Sequence, residues 1–251
     1  MTSALWLARF IERVEVVAPA DRRPLALERL PDGRTAVIFR MLDSGHADLS
    51  LTGPRTRALF KTATGMARAV TICFKPGWLA PLLGVRASAL TDRYVKLDEL
   101  WGRDVNDLCG ELVAARGVPE IVGRLSAAFA RRSHDRAEPA SASLARRAVR
   151  MLESDEVRVD RVAERLGVTT RHLRRAFADS IGVGPKEFAQ SVRLQRAVRL
   201  AETSRDWGRI ATDVGYYDQA HLIGEFRDLV GLTPVQLVQR RRAGTCASAT
   251  E

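Results

Sequence analysis

The sequence predicts an α+β protein with a strand-rich N-terminal domain, a helical connector and an all-α C-terminal domain. Short β-branched and aromatic runs separated by turn residues occur within residues 1–100. The apolar period becomes helical from about Asp98 onwards. A series of alanine, glycine, leucine, phenylalanine, glycine and proline then occurs twice, which indicates a duplicated helical unit.

The predicted strands of residues 1–100 are bounded by Pro31-Asp32-Gly33 and by Gly53-Pro54, which are typical turn sequences. These strands are RVEVVA (13–18), TAVIFRM (35–41), ADLSL (47–51) and RAVTICF (68–74). Aromatic residues in such a domain form core more often than they line a ligand pocket. The residues open to either role are Trp6, Phe74, Trp78 and Trp101.

Residues 101–132 are predicted to form a helical connector. Ile121, Leu125 and Phe129 recur at helical spacing and give this segment an apolar stripe. Because an apolar stripe needs a partner, we expect a homodimer contact here.

Three further segments follow the connector. Residues 133–142 lose apolar content and gain proline and serine, which is typical of a linker. Residues 143–242 are predicted to form the all-α domain. Residues 243–251 are small and polar, and we expect a disordered tail.

The charge of the chain favours an anionic partner, nucleic acid first and a membrane surface second. The chain has 40 Lys and Arg against 30 Asp and Glu, a formal net charge of +10. Residues 1–131 hold 19 basic and 14 acidic residues, and residues 132–251 hold 21 and 16, so charge alone does not locate the site. No apolar run reaches about eighteen residues and no signal peptide is recognisable. We therefore expect a cytoplasmic protein without a membrane partner.

No metal, cofactor or catalytic activity is expected. Cys73, Cys109 and Cys246 are widely separated and form no C-x-x-C pair, which argues against a zinc site. Nucleophile, zinc-protease, phosphate-loop and dinucleotide motifs are not found.

The internal repeat has the features of a helix-turn-helix. Its first copy is Val162-Ala163, Gly167, Leu173, Phe177, Gly182 and Pro185, and its second copy is Ile210-Ala211, Gly215, Leu222, Phe226, Gly231 and Pro234. The alanine permits close helix crossing, and the first glycine ends a helix in the left-handed conformation. Leucine and phenylalanine four residues apart fill the angle between the helices. We expect Thr169 or Thr170 to cap the second helix of the first unit and Asp218 to cap that of the second.

The second helix of the first unit is predicted to have a basic face. With Leu173 and Phe177 inward, Arg171, Arg174 and Arg175 point outward. Arginines on an exposed helix are often only solvated, but in a paired helix-turn-helix they suit base contacts in the major groove. His172 is assigned to packing or to a phosphate.

The segment between the two units has the length needed to span adjacent grooves. A helix over residues 185–204 would be about 28 Å long, close to the ~34 Å between successive major grooves. Arg193 and Arg196 on this helix are open to phosphate contact.

Residues 143–242 resemble the AraC-type DNA-binding domain. The resemblance rests on VAERLGVTTRHLRRAF and IATDVGYYDQAHLIGEFRDLVGLTP. It implies seven helices, two helix-turn-helix units, double-stranded promoter DNA as partner, and activation or repression of transcription through RNA polymerase. The positions that it implies for base reading are Thr170, Arg171, Arg174 and Arg175 in the first unit, and Gln219, Ala220, His221 and Ile223 in the second.

The second unit departs from the family pattern. Many members carry arginine where this chain has Gly224, and a polar residue where it has Ile223. Glycine inside a helix also costs about 1 kcal/mol relative to alanine. We therefore expect the first unit to carry most of the base readout.

The N-terminal part resembles an uncharacterised, non-cupin domain found in front of AraC-type domains. The segments that carry this resemblance are LTGPRTRALF, FKPGWLAPLLGV and LTDRYVKLDELWG. The family's layout implies a domain that senses a small-molecule effector or dimerises. One alternative is a domain that makes only protein contacts. The other is an alkyl-accepting DNA-repair regulator, which the apolar surroundings of Cys73 disfavour.

Overall fold

Seven strands in two antiparallel sheets make up the first part of the described chain. The structure, a computed structural model, describes residues 7–18, 24–133, 139–154 and 158–248. The strands are β1 Ile11–Val17, β2 Leu25–Arg29, β3 Ala36–Leu42, β4 Ala47–Thr52, β5 Leu59–Ala63, β6 Met66–Phe74 and β7 Tyr94–Lys96. The larger sheet has the order β1-β6-β3-β4-β7, and β2 pairs with β5 in a separate two-stranded sheet. The predicted α+β class is confirmed.

One face of the larger sheet carries the N-terminal core. Phe39, Val70 and Ile72 are almost fully buried there against helices of residues 79–133. These helices are α1 Leu79–Leu83, α2 Asp98–Trp101, α3 Asp104–Val113 and α4 Val118–Ser133. Phe74 is buried in this core, and Trp78 and Trp101 pack against it; Trp6 lies outside the described residues.

The helices of residues 101–132 belong to the N-terminal domain and do not form a free connector. Ile121, Leu125 and Phe129 are at most 1% exposed and lie in the same cluster as the sheet residues. The prediction of a dimer contact on this stripe is wrong, because the sheet of the same chain already covers the stripe. Periodicity indicated an apolar face but could not indicate its partner.

Seven helices form the C-terminal part of the described chain. They are α5 Ala140–Ser154, α6 Val159–Arg165, α7 Thr170–Ser180, α8 Pro185–Thr203, α9 Trp207–Asp213, α10 Gln219–Val230 and α11 Pro234–Ser248. Much of the segment predicted as a linker, residues 134–138, lies outside the described residues. Helix α11 continues to Ser248 and so enters the predicted disordered tail, where alanines favour a helix that is already formed.

The C-terminal domain has one core for each unit. Val162, Ala163, Leu173 and Phe177 lie in the first. Ile210, Ala211, Leu222 and Phe226 lie in the second. Helix α8 contributes to both, because Phe188 near its start lies in the first core and Ala201 near its end lies in the second. Of the helices in the described ranges, none is both long and apolar enough to cross a membrane.

Candidate nucleic-acid interface

The first helix-turn-helix unit consists of α6 and α7. Gly167 has a φ of 68°, the left-handed conformation that lets the chain turn after α6. Thr169 is the N-cap of α7, and its hydroxyl accepts a hydrogen bond of 3.1 Å from the His172 amide. Leu173 and Phe177 are fully buried at the helix crossing. The capping residue, the turn and the apolar contacts predicted from the repeat are thus present.

Helix α7 presents a basic surface over its first two turns. Thr170 and the three arginines Arg171, Arg174 and Arg175 are exposed, and so is His172. Within the described ranges, none of the three guanidinium groups forms an ion pair or a hydrogen bond to the protein. Their charges are therefore available to an anionic ligand.

The second unit consists of α9 and α10 and repeats the same construction. Gly215 has a φ of 84°, and Asp218 accepts a hydrogen bond of 2.7 Å from the His221 amide as the N-cap of α10. Gln219, Ala220 and His221 are exposed. Ile223 is half-buried and packs against the core of this unit, which leaves only part of its side chain for contact with a ligand.

A buried carboxylate connects α10 to α8, and the sequence pattern did not reveal it. Glu225 is 8% exposed and accepts hydrogen bonds from Tyr216 Oη at 2.7 Å, Gln190 Nε2 at 3.0 Å and Arg193 Nη2 at 3.2 Å. Burial, together with this hydrogen bond to Glu225, raises the pKa of Tyr216 well above its usual value. The second recognition helix is thereby tied to the helix between the units.

The two arginines of α8 that were proposed as phosphate contacts are engaged inside the protein. Arg193 binds Glu225 and lies over the ring of Tyr216 at 5.3 Å from its centroid. Arg196 donates a hydrogen bond to the backbone carbonyl of Glu153. His172, by contrast, stands exposed beside the arginines of α7.

Tyr217 is an exposed aromatic residue at the start of the second recognition helix. Its side chain is 91% exposed and directly precedes the capping Asp218. A single tyrosine in a turn gives no periodic signal, so sequence reasoning did not select it. It lies two residues before Gln219 and four before His221, which are also exposed.

The N-terminal domain holds the C-terminal end of the first recognition helix. Thr91 Oγ1 donates a hydrogen bond of 2.6 Å to the carbonyl of Gly182, which follows α7. Gly182 has a φ of 92°, and a Cβ there would lie 2.6 Å from Pro54, so only glycine fits.

The second recognition helix is held in the same way. The Ala58 amide donates a hydrogen bond of 2.8 Å to the carbonyl of Leu229, near the end of α10. Arg240 of α11 also lies over Phe60 of β5, at 4.5 Å from the ring centroid. Both recognition helices are therefore anchored at their C-terminal ends by one domain, while their N-terminal turns stay exposed.

Two family models match the chain in separate segments. Residues 162–240 match a model described as a helix-turn-helix domain, and residues 2–96 match a domain of unknown function, DUF6597. The C-terminal part of the chain is an AraC-type helix-turn-helix domain. Both resemblances noted in the sequence are confirmed, and the AraC-type domain includes both units described above.

Two curated relatives are similar to parts of the chain. The chain is 31% identical over 188 residues to the HTH-type transcriptional regulator GlxA of Rhizobium meliloti, which covers 63% of this chain and 57% of that protein. It is 28% identical over 92 residues to the HTH-type transcriptional regulator ArgR of Pseudomonas aeruginosa, covering 36% and 28% of the two chains. The chain thus spans little more than half the length of one relative and less of the other.

Two solved structures with similarity to the chain come from different bacteria. A probable AraC family transcriptional regulator from Rhodopseudomonas palustris is 26% identical with a TM-score of 0.35, covering 39% of this chain and 96% of that chain. ToxT from Vibrio cholerae, bound to a naphthalenyl butenoic acid, is 12% identical with a TM-score of 0.47, covering 90% and 97%.

Proposed function

We propose that this chain is a sequence-specific DNA-binding transcriptional regulator that places α7 and α10 in successive major grooves of duplex DNA. The observation that carries the proposal is the exposed arginine face of α7. Arg171, Arg174 and Arg175 project from a helix whose opposite side is fixed by buried Leu173 and Phe177. An arginine so placed can donate two hydrogen bonds to guanine, the most frequent base-specific contact. Its action on DNA implies a location in the cytoplasm.

The two units contribute unequally to base readout in this proposal. In the first unit, base contacts fall to Thr170 and the three arginines, and His172 meets a phosphate. In the second unit, Gln219, Ala220 and His221 reach the groove, while Ile223 is partly occupied by core packing. Because Arg193 and Arg196 are bound within the protein, their phosphate contacts would require those bonds to be exchanged. The second unit therefore serves mainly orientation and backbone contact.

The N-terminal domain has a regulatory role in this proposal. It contacts the C-terminal ends of both recognition helices through Thr91 and Ala58. A small-molecule effector that changed these contacts would change the relative orientation of α7 and α10. The output is activation or repression through RNA polymerase. A domain that only contacts other proteins, or that forms a homodimer through another surface, is the competing interpretation.

The alkyl-accepting alternative is disfavoured by the burial of Cys73 and Cys109. Burial raises the pKa of the Cys73 thiol to about 11 and that of Cys109 to about 11. An alkyl acceptor needs a thiolate near neutral pH, and a thiol of this kind is protonated there.

The proposal is tested by titrating labelled duplexes with Arg174→Ala at one salt concentration. A bidentate contact to guanine is worth about 1–3 kcal/mol, so affinity should fall roughly 5- to 150-fold on the preferred duplex. The loss should be confined to duplexes that carry the preferred base at one or two positions. Arg103→Ala, an exposed arginine between α2 and α3, serves as the control and should change neither affinity nor preference. A uniform loss on all duplexes would make Arg174 a phosphate contact, and no loss at all would contradict groove reading by α7.

A further inference from the structure

The second face of the five-stranded sheet borders a large cavity. The cavity has a volume of about 830 Å³ and lies between this face, the two-stranded sheet of β2 and β5, and helices α8 and α11. Such a volume falls within the range of sites for small organic molecules, about 300–1,000 Å³. Phe74, Trp78 and Trp101, which were considered for a pocket, belong to the opposite face of the sheet and its core.

Small side chains keep this cavity open. Cross-strand pairing places Cys73 beside Ala36 and Ala69 beside Arg40, and Thr71 lies between the two pairs. All five residues line the cavity. On the opposite face, large residues of the same strands fill the core completely. The sheet is thus covered on both faces but packed on only one, which leaves room for a ligand.

The charges of the cavity favour an anion. Eight cationic and five carboxylate side chains line it. Several of the cations are already paired, such as Arg29 with Asp32 and Arg55 with Asp92. The cations are Arg13, Arg29, Arg40, Arg55, Lys61, Arg93, Arg199 and Arg241.

Some of these cations are not neutralised by a carboxylate. Within the described ranges, Lys61 and Arg199 form no ion pair or hydrogen bond, and the guanidinium of Arg93 donates only to the backbone carbonyl of Ala89. An acidic ligand would find these charges unpaired.

The lining also includes a group of apolar side chains. These are Leu25 and Leu27 of β2, Leu59 of β5, and Ile38 and Met66 of the larger sheet. The apolar body of a ligand would move out of water into contact with these side chains, while its acidic group would contact the cations. We propose that this cavity binds a small organic anion with an apolar body, such as an aromatic or aliphatic carboxylic or sulfonic acid.

Bound ligand would touch the helix that joins the two units of the AraC-type domain. Gln195, Val198 and Arg199 of α8 line the cavity, and Gln195 Nε2 donates a hydrogen bond of 2.7 Å to the Pro31 carbonyl at its edge. The Arg241–Glu28 ion pair of 2.6 Å joins α11 to β2 at the same site. An effect of the ligand on DNA affinity rests on the proposed function, whereas binding itself does not.

Two fluorescent probes that share one aromatic body test the site on the full chain without DNA. These are 8-anilinonaphthalene-1-sulfonate, an anion, and N-phenyl-1-naphthylamine, which lacks the sulfonate. One charge-assisted hydrogen bond contributes about 1.5–3 kcal/mol, so the anion should bind at least about 10-fold more tightly. Equal affinity for both probes would overturn the proposed preference for an anion.

Variants locate the bound probe. Arg199→Glu should weaken binding of the sulfonate about 10-fold or more and leave the neutral probe unaffected. Lys186→Glu, at an exposed position on the same helix outside the cavity, should change neither. Ala69→Leu, which fills space between Arg40 and Val17, should weaken both probes. Sulfonate binding that is unchanged in Arg199→Glu and in a folded Ala69→Leu would place the probe elsewhere and overturn the proposal.

The same variants separate this proposal from DNA binding. If the protein binds duplex DNA but neither probe, the proposed ligand site is contradicted and the proposed function stands. If the protein binds the sulfonate but no DNA, the proposed ligand site stands and the proposed function is contradicted.

Discussion

The two helix-turn-helix units share their apolar frame and differ in what surrounds it. Leu173 and Phe177 in the first unit correspond to Leu222 and Phe226 in the second, and all four are fully buried. The residue before the phenylalanine is alanine in the first unit, at position 176, and Glu225 in the second. The first unit is therefore held by apolar packing, whereas the second has a polar network in its interior.

The arginines of α7 and Arg193 of α8, which lies beside the second unit, have different partners because only the second unit contains a buried carboxylate. On α7, three arginines point to solvent without partners among the described residues. Beside α10, the guanidinium of Arg193 forms an ion pair with Glu225 and lies over the ring of Tyr216. The duplicated frame sets where two helices lie, and under the proposed function the charged residues around it determine which helix reads bases.

The largest expected effect comes from removing the arginine face of the first unit. Replacing Arg171, Arg174 and Arg175 together by alanine removes up to three base contacts of about 1–3 kcal/mol each, so specific affinity should fall at least about 100-fold. The fold should persist, since all three side chains are exposed. Anisotropy titrations on specific and random duplexes measure the loss, and circular dichroism checks the fold. A triple variant that still prefers the specific duplex would reverse the roles of the units.

The next effect concerns the polar network of the second unit. Glu225→Ala leaves Tyr216, Gln190 and Arg193 without their shared acceptor, and breaking a buried pair of this kind costs about 3–5 kcal/mol. Because Arg193 is 31% exposed, we expect the lower end of this range. Hydrogen exchange of α9 and α10 amides should rise, while exchange in α6 and α7 stays unchanged. Glu225→Gln retains an acceptor and should lose less; equal exchange in both units would show that the network does not stabilise the second.

The smallest effect concerns Gly224 on α10. A Cβ at this position would meet no atom within 4 Å, so Gly224→Ala should stabilise the helix by about 1 kcal/mol. The control is Gly231→Ala, because the φ of 74° at the end of α10 makes alanine strained there. Thermal unfolding of the two variants should shift in opposite directions. A lower midpoint for Gly224→Ala would mean that the glycine serves a close contact.

Local signals predicted the helix-turn-helix frame, and long-range contacts escaped prediction. Thr169 and Asp218 cap the helices that begin directly after them, and Gly167 and Gly215 adopt the left-handed conformation in the turns. The residues that define each unit therefore lie within short stretches of sequence. The Glu225 network joins α8, α10 and the turn before α10 through residues up to 35 positions apart, and no spacing in the sequence reveals it.

The N-terminal domain shows the same limit. Strands with alternating β-branched residues were found, but β2 reads LALER, residues that favour helices, and it forms a strand only by pairing with β5. The cavity also escaped prediction, because it depends on how α8 and α11 pack over the sheet.

Selection of binding sites from random duplex DNA, at a stated salt concentration near physiological, tests the central claim most directly. We expect a motif with two blocks about one helical turn apart, with the stronger block read by α7. The stronger block should disappear for the variant with alanine at positions 171, 174 and 175, and the weaker one should remain. No enriched motif, or a motif that the triple variant selects unchanged, would contradict base reading by the first unit.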